Sequence, residues 1–137
     1  EALSRAAAEG VIDCLVSDHT PVDEDGKHLP FGEAEPGATG LELLLPLALK
    51  WGEAHELPLA RTLARLTIAP ARILGVEAGR IAAGAPADLV IFDPRAPFRV
   101  SAQALKSQGK NTPFLGYELS GRVRFTLVEG NVVYEAG

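Results

Sequence analysis

The pattern of apolar and polar positions along the chain predicts an α/β protein. Helix-favouring residues occupy positions 2–9, and Gly10 predicts the end of that helix. Residues 11–17 (VIDCLVS) are β-branched and mostly apolar, a pattern typical of a strand covered on both faces. Residues 18–38 show no sustained period and predict a long loop. Loops of this length inside a compact domain are usually functional or mobile.

Two further helices are predicted after this loop. Thr39 and Glu42 have the spacing of a capping box, in which the first caps the helix and the second reaches back. A strongly apolar helix follows to about Glu53, with a kink expected near Pro46. Pro58 can serve as the first residue of the next helix.

The pattern changes from helices to strands after a short turn from Pro70 to Gly75. The stretch from Gly79 predicts a short strand, a Gly-Pro turn and a second strand at residues 88–92. Near the C-terminus, two more strands are predicted around a tight turn at residues 129–131. This change places a boundary near residues 76–80, and we divide the chain into 1–78 and 79–137.

Composition narrows the class of protein. The chain has 137 residues, of which 47% are hydrophobic and 23% charged, as expected for a single folded domain. Its net charge of −5 and the lack of a basic cluster argue against a nucleic-acid partner. No apolar run is long enough to predict a membrane span. Cys14 is the only cysteine, so no internal disulfide can form, and we expect a cytoplasmic protein.

The chain contains no methionine and begins with Glu1 in what the pattern predicts to be a helix. We therefore expect it to be the C-terminal part of a longer protein.

Asp18 is the strongest candidate for a chemical role. It directly follows the predicted buried strand, and the carboxyl ends of such strands are where barrel and doubly wound enzymes place catalytic groups. An Asp at this point can equally be a loop acid that hydrogen-bonds the backbone. Position alone leaves both interpretations open.

The other polar residues predict no complete site by themselves. One histidine, His19, beside one aspartate does not form a zinc site, and His28 and His55 show no ligand spacing. The acidic residues 23–25 lack the Asp/Asn and Gly spacing of a calcium loop. Ser17 lies in no G-x-S-x-G motif, so serine hydrolysis has no support.

Four motifs together resemble the dihydroorotases, members of the amidohydrolase superfamily. These are "SDHTP", "PFGEAEPGATGLELLLPL", "GAPADLVIFD" and "KNTPFLGYELSGRV", in the order in which that family has them. The resemblance covers nearly the whole chain and corresponds to the C-terminal third of the family. It implies the end of a TIM-type (β/α)8 barrel for residues 1–78, with the last strand, active-site loop and closing helices. For residues 79–137 it implies a share of a small β-sandwich domain.

The family reaction is the reversible hydrolysis of dihydroorotate to N-carbamoyl-L-aspartate in pyrimidine biosynthesis, assisted by zinc. The resemblance implies that Asp18 is both a metal ligand and the group that moves the proton. It also implies that Pro36 and Gly37 provide backbone hydrogen bonds to the substrate ring. The remaining metal ligands would lie outside this chain, so the chain alone is expected to be inactive.

One position departs from the family pattern. Active members read D-H-A-P-H, with the final histidine holding the substrate carboxylate, but this chain has Val22 there. Lys27 or His28 would then have to hold that carboxylate.

Two alternatives follow from Val22. The first is a non-catalytic dihydroorotase-like subunit that supports aspartate carbamoyltransferase. The second is another cyclic amidohydrolase, such as an allantoinase or hydantoinase. We also expect a homo-oligomer.

Overall fold

The computed structural model describes all residues 1–137 and contains helices followed by an antiparallel sheet. The helices are α1 (Ala2–Glu9), α2 (Glu24–Lys27), α3 (Leu44–Ala54), α4 (Leu59–Ala64) and α5 (Ile68–Leu74), with a 3₁₀ turn at Leu41–Leu43 before α3. The strands are β1 (Leu89–Arg99), β2 (Glu118–Val128) and β3 (Asn131–Glu135). The order of helices and strands confirms the predicted α/β class.

The helix boundaries follow the local sequence signals closely. α1 ends at Gly10, which is left-handed with φ 92°. Pro58 lies one position before α4, and α5 ends at Gly75. Pro46 is in the first turn of α3, where backbone amides have no intrahelical acceptor, so no hydrogen bond is lost. None of the helices combines the length and hydropathy that a bilayer span requires.

The three strands pair in the order β1-β2-β3, and both pairs are antiparallel. Glu129 and Gly130 connect β2 to β3 and both have positive φ, 50° and 81°. Positive φ at both central residues defines the type I′ turn, whose twist matches that of a hairpin. The predicted hairpin is therefore confirmed.

Two predicted strands do not form. Residues 11–17 form no strand, and Val11 and Val16 are 74% and 73% exposed. A strand needs a neighbour to receive its hydrogen bonds, and no strand of this chain lies beside the segment. Beyond the cap of α1, its one backbone–backbone hydrogen bond joins the Leu15 N–H to the Arg65 carbonyl at 3.1 Å. The short strand predicted after Gly79 is also missing.

Two other segments are more ordered than predicted. The loop at residues 18–38 contains α2. The strand predicted at 88–92 extends to Arg99 as β1, across register shifts near Pro94 and Pro97.

The core joins the helical part to the sheet. Its buried side chains are Leu43, Val100, Leu105 and Leu119, with Leu47, Phe98 and Phe114 packed against them. Leu43 precedes α3 while the other buried residues belong to the second half of the chain, and α3 packs on β2. Residues from both sides of position 78 therefore share one core, which holds the loops of the first half against those of the second.

Candidate active site

Asp18 lies at the end of the 11–17 segment in an unusual backbone conformation. Its φ is 44°, in the left-handed region that L-residues with a side chain seldom occupy. Asp tolerates this region better than most residues, and such conformations cluster at functional sites. The residue is exposed. Asp18 is therefore a solvent-exposed acid in a left-handed backbone conformation.

The Pro36-Gly37 turn lies against the loop that follows Asp18. The Thr20 N–H donates to the Ala38 carbonyl at 3.0 Å. Gly37 has φ 129°, and a Cβ added there would lie 2.5 Å from the Thr20 carbonyl oxygen. Only glycine permits this approach. Two stretches that the sequence separates by an acidic loop are therefore brought together.

A third segment, residues 107–111, contains the first two residues of the K-N-T-P-F-L-G motif and supports the Pro36-Gly37 turn. The Asn111 side-chain amide donates to the Gly37 carbonyl at 3.3 Å. The Thr39 N–H donates to the Asn111 carbonyl at 2.7 Å, and the Thr39 hydroxyl donates to the Gly109 carbonyl at 2.6 Å. We refer to residues 18–20, 36–41 and 107–111 as the site cluster.

Several peptide groups in the site cluster have no intramolecular partner. The Pro36 carbonyl accepts no hydrogen bond, and the Gly37 and Ala38 amides donate none. In contrast, the Gly37 and Ala38 carbonyls are both bonded within the cluster. One acceptor and two donors of this turn therefore take no part in the hydrogen bonds that hold the fold.

His19 caps the 3₁₀ turn that leads into α3. Its Nδ1 accepts hydrogen bonds from the Gly40 N–H at 3.2 Å and the Leu41 N–H at 3.1 Å. Because Nδ1 is an acceptor, the ring proton lies on Nε2. The capping box predicted for Thr39 and Glu42 is wrong, since the Thr39 hydroxyl is bonded to a carbonyl 70 residues away.

Glu42 instead holds the third segment. Its carboxylate accepts hydrogen bonds from the Lys106 N–H at 2.7 Å and the Ser107 N–H at 2.6 Å. Desolvation by burial would raise the pKa of Glu42, but these amide bonds, the Ser107 side chain and the nearby Lys110 charge together lower it below its ordinary value. The ionised form of Glu42 is therefore favoured in the fold.

The remaining predicted residues lie in the acidic loop. Val22 is buried, with 8% of its surface exposed, and offers no polar group. The Lys27 ammonium donates to the Glu35 carbonyl. His28 directly follows α2, and its exposed ring makes no hydrogen bond. No hydrogen bond links His28 to Asp18, so the structure does not join these two predicted residues.

The donor set of this chain does not make a zinc site by itself. No group of three or more His, Cys, Asp or Glu side chains is arranged to hold a metal ion. Asp18 provides one carboxylate, and the Nδ1 of His19 is occupied by backbone amides. Catalytic zinc needs about three protein ligands, so Asp18 fits only as one ligand of a larger set.

Of the cavities in the structure, two are described, and one of them borders the site cluster. The first has a volume of about 210 Å³ and is lined by His19, Pro21, Val22, Asp23, Ser107, Gln108 and Gly109. The second, of about 550 Å³, lies between the α3–α4 helices and the sheet and contains none of the predicted site residues. The smaller cavity adjoins His19, the residue next to Asp18.

Three residues of the site cluster have roles that the sequence does not predict. They are His19 as a cap, Glu42 as the acceptor for a distant segment, and Asn111 as a support for Gly37. The motif containing Asn111 stood out as part of the resemblance, but nothing in its local pattern indicated a contact with Gly37.

The chain as a whole is similar to a known protein family. A model of the amidohydrolase family matches residues 1–134, so the chain belongs to the amidohydrolase family. Among curated relatives, a dihydroorotase-like protein of Pseudomonas aeruginosa is 45% identical over 135 residues, which are 98% of this chain and 32% of that protein. A dihydroorotase of Geobacter sp. strain M21 is 41% identical over 137 residues, 100% of this chain and 32% of that protein. The chain thus spans about a third of the length of these relatives.

Solved structures agree with this assignment. The D-hydantoinase (dihydropyrimidinase) from Thermus sp. has a TM-score of 0.88 and 28% identity, over 98% of this chain and 31% of that one. The L-hydantoinase (dihydropyrimidinase) from Arthrobacter aurescens has a TM-score of 0.85 and 34% identity, with the same coverage. The chain therefore has the fold of the corresponding part of these amidohydrolases.

Proposed function

We propose that this chain is part of a dihydroorotase, which hydrolyses the cyclic amide of dihydroorotate to N-carbamoyl-L-aspartate and catalyses the reverse reaction. The observation on which the proposal rests is the left-handed Asp18 held two residues from the Thr20–Ala38 hydrogen bond, beside unpartnered peptide groups. Relatives named dihydroorotase match essentially the whole chain at 40–41% identity. The solved hydantoinases are less similar, at 24–34%.

Asp18 is the proposed proton carrier. Hydrolysis of an amide requires removal of a proton from the attacking water and delivery of a proton to the leaving nitrogen. A carboxylate can do both in turn, provided that it can reach the substrate. Asp18 is exposed rather than packed into the core, which leaves its carboxylate accessible.

The backbone at residues 36–38 is the proposed binding surface for the ring. A cyclic ureide has alternating N–H and C=O groups, which need acceptors and donors in turn. The Pro36 carbonyl can accept from a ring N–H, and the Gly37 and Ala38 amides can donate to ring carbonyls. Because Gly37 packs directly on Thr20, this surface is held close to the loop of Asp18.

A zinc ion belongs to the proposal for the full-length protein. Bound zinc would polarise the scissile carbonyl and lower the pKa of a bound water. Asp18 is the ligand that this chain would provide, and the other ligands would come from the rest of the longer protein. The barrel and β-sandwich arrangement, with residues 1–78 and 79–137 in different domains, is part of the same proposal.

Substitution of Asp18 in the full-length protein tests the proposal. Asp18→Asn should lower kcat for dihydroorotate by about 10²-fold or more, because general acid–base catalysis contributes about 10²–10⁴-fold. Asp13→Asn is the matched control, since Asp13 is an exposed carboxylate of the same segment whose side chain makes no hydrogen bond. Equal activities of the two variants would refute the role of Asp18. Turnover of hydantoin or allantoin without turnover of dihydroorotate would assign a different cyclic amidohydrolase.

A second candidate is a non-catalytic dihydroorotase-like subunit. It is favoured by Val22, which is buried and has no donor for a substrate carboxylate. Two relatives at 45% identity, from Pseudomonas aeruginosa and Pseudomonas putida, are named dihydroorotase-like. Zinc content and dihydroorotate turnover of the full-length protein separate the candidates. A folded, zinc-free protein that lacks turnover and co-purifies with aspartate carbamoyltransferase would establish the second.

A further inference from the structure

The peptide group between Gly37 and Ala38 is held at one end only. Its carbonyl accepts a hydrogen bond from the Asn111 side chain at 3.3 Å, while its N–H, on Ala38, has no intramolecular acceptor. A trans peptide is planar, with its C=O and N–H pointing in opposite directions. Fixing the Gly37 carbonyl therefore also fixes the direction of the Ala38 N–H.

The neighbouring peptide groups do not depend on the Asn111 side chain. The peptide between Ala38 and Thr39 is bonded at both ends, by the Thr20 N–H and by the Asn111 backbone carbonyl. The peptide between Pro36 and Gly37 is bonded at neither end. Rotation of the Gly37–Ala38 peptide changes ψ of Gly37 and φ of Ala38, and Gly37, which has no Cβ, is the more permissive of the two residues. The hydrogen bond from the Asn111 side chain to the Gly37 carbonyl is thus the only one that this peptide group makes, and it orients the Ala38 N–H.

Asn111 is itself well placed for this task. It is half-buried and is followed by Thr112, which is 5% exposed. Lys110 donates to the Leu105 carbonyl at 2.8 Å, and Glu42 accepts from the Lys106 and Ser107 amides. The turn that precedes Asn111 is therefore fixed by charge-assisted hydrogen bonds, which are stronger than neutral ones.

We propose that Asn111 is a positioning residue that directs the Ala38 N–H toward a carbonyl oxygen of a cyclic amide substrate. This inference rests on the proposed function, because the ligand is the substrate of the same site. It gives a residue from the second half of the chain an effect on substrate binding, whereas Asp18 and the backbone at residues 36–38, the groups proposed to contact the substrate, lie in the first half. Asn111 does not touch the substrate, and its effect passes through the Gly37–Ala38 peptide.

The test compares Asn111→Asp with wild type in the full-length protein. Asp has nearly the same shape but cannot donate to the Gly37 carbonyl when ionised. We expect KM for dihydroorotate to rise about three- to tenfold, the range for one neutral hydrogen bond, with a smaller change in kcat. Asn111→Gln keeps the donor and should retain part of the affinity. Asn131→Asp is the matched control, because Asn131 lies in the β2–β3 hairpin.

A crystal structure of Asn111→Asp provides a second readout, in which the Gly37–Ala38 peptide should be rotated. Unchanged KM together with an unrotated peptide would overturn the inference while leaving the proposed function intact. A wild-type protein that neither binds nor turns over dihydroorotate would overturn both. If Asn111→Asp does not fold, Asn111→Gln against Asn111→Met makes the same comparison, since only Gln keeps the donor. Equal KM values for that pair would also overturn it.

Discussion

Gly37 occupies a backbone position that no other residue can adopt without displacing Thr20. A Cβ would lie 2.5 Å from the Thr20 carbonyl oxygen and 2.9 Å from its methyl group, and φ is 129°. We expect Gly37→Ala to lower the free energy of unfolding by about 1–3 kcal/mol, the usual cost of such strain. Urea denaturation would measure this loss. Gly32→Ala is the control in the same loop, because a Cβ there meets nothing within 4 Å. Equal midpoints for both variants would contradict the prediction.

His28 is the residue that we expect to hold a substrate carboxylate in place of the family histidine. Val22 has no donor, and the Lys27 ammonium is already bonded to the Glu35 carbonyl, whereas the His28 ring is exposed and without a hydrogen bond. In the full-length protein, His28→Ala should raise KM for dihydroorotate about tenfold, equivalent to about 1.4 kcal/mol. Lys27→Ala should have a smaller effect.

Val22→His, added to His28→Ala, should recover part of that affinity by returning a donor to the position where the family has one. Unchanged KM in His28→Ala would exclude His28 as the carboxylate ligand.

At the scale of secondary-structure elements, the entrance to α3 is organised by residues distant in the chain. The cap comes from His19, 21 residues before Gly40, and Glu42 is used to hold residues 106 and 107. The helix start is thereby connected both to the residue after Asp18 and to the segment containing Asn111. The beginning of α3 therefore acts as a common support for all three parts of the site cluster.

The Glu42 contact makes this support dependent on pH. Its pKa is lowered in the folded state, so its contribution to stability is present above the unfolded pKa and is lost as the pH falls through the folded pKa. We expect Glu42→Gln to be less stable than wild type at pH 7, and the difference to shrink as the pH falls below about 4.5. Thermal unfolding from pH 7 to pH 3 would measure this. Glu53→Gln is the control variant, because Glu53 is exposed on α3 and its carboxylate makes no hydrogen bond. A Glu42→Gln difference that is independent of pH would refute the prediction.

At the scale of the whole molecule, much apolar surface remains uncovered. Only 14 of 137 residues are buried, while Phe31, Ile81 and Leu3 are 100%, 91% and 78% exposed. Single exposed apolar side chains are common in folded proteins, but so small a buried core leaves much of the apolar content of this chain in contact with solvent. Since the chain spans about a third of the length of its relatives, we expect other parts of the longer protein to cover these side chains.

The outer edge of the sheet gives one prediction for the isolated 137-residue chain. β3 pairs only with β2, and all five of its residues are exposed. β1, at the opposite edge, contains Pro94 and Pro97, which cannot donate and protect that edge. We expect the chain to associate through β3, and sedimentation velocity should show a concentration-dependent species larger than a monomer.

Val133→Pro removes a backbone donor from the middle of β3 and should reduce this association. A strictly monomeric wild-type chain would contradict the prediction.

A second prediction for the isolated chain concerns metal. Because Asp18 is its single candidate ligand and no group of three donors exists, it should neither bind zinc tightly nor hydrolyse dihydroorotate. Zinc titration by calorimetry together with a turnover assay would check this. Stoichiometric zinc bound through Asp18 would show that the chain completes a metal site by itself.

The elements that the sequence determined by itself are those set by neighbouring residues. The end of α1 at Gly10 and the Glu129-Gly130 turn follow from backbone conformations that glycine permits. The sequence also singled out Asp18 as a candidate, because it directly follows an apolar segment, and its role stays a prediction. These features depend on interactions within a few residues, which a local pattern contains.

Only the tertiary structure decided which distant residues are in contact. The bonds from Thr39 to Gly109, from Asn111 to Gly37 and from Glu42 to Lys106 span 64–74 residues, and no local spacing predicts them. The apolar residues 11–17 show that a local pattern can also predict an element that does not form. Their pattern favours a strand, but no partner strand lies beside them. Hydrogen bonds between strands, like those that hold the site cluster, depend on which segments the fold brings together.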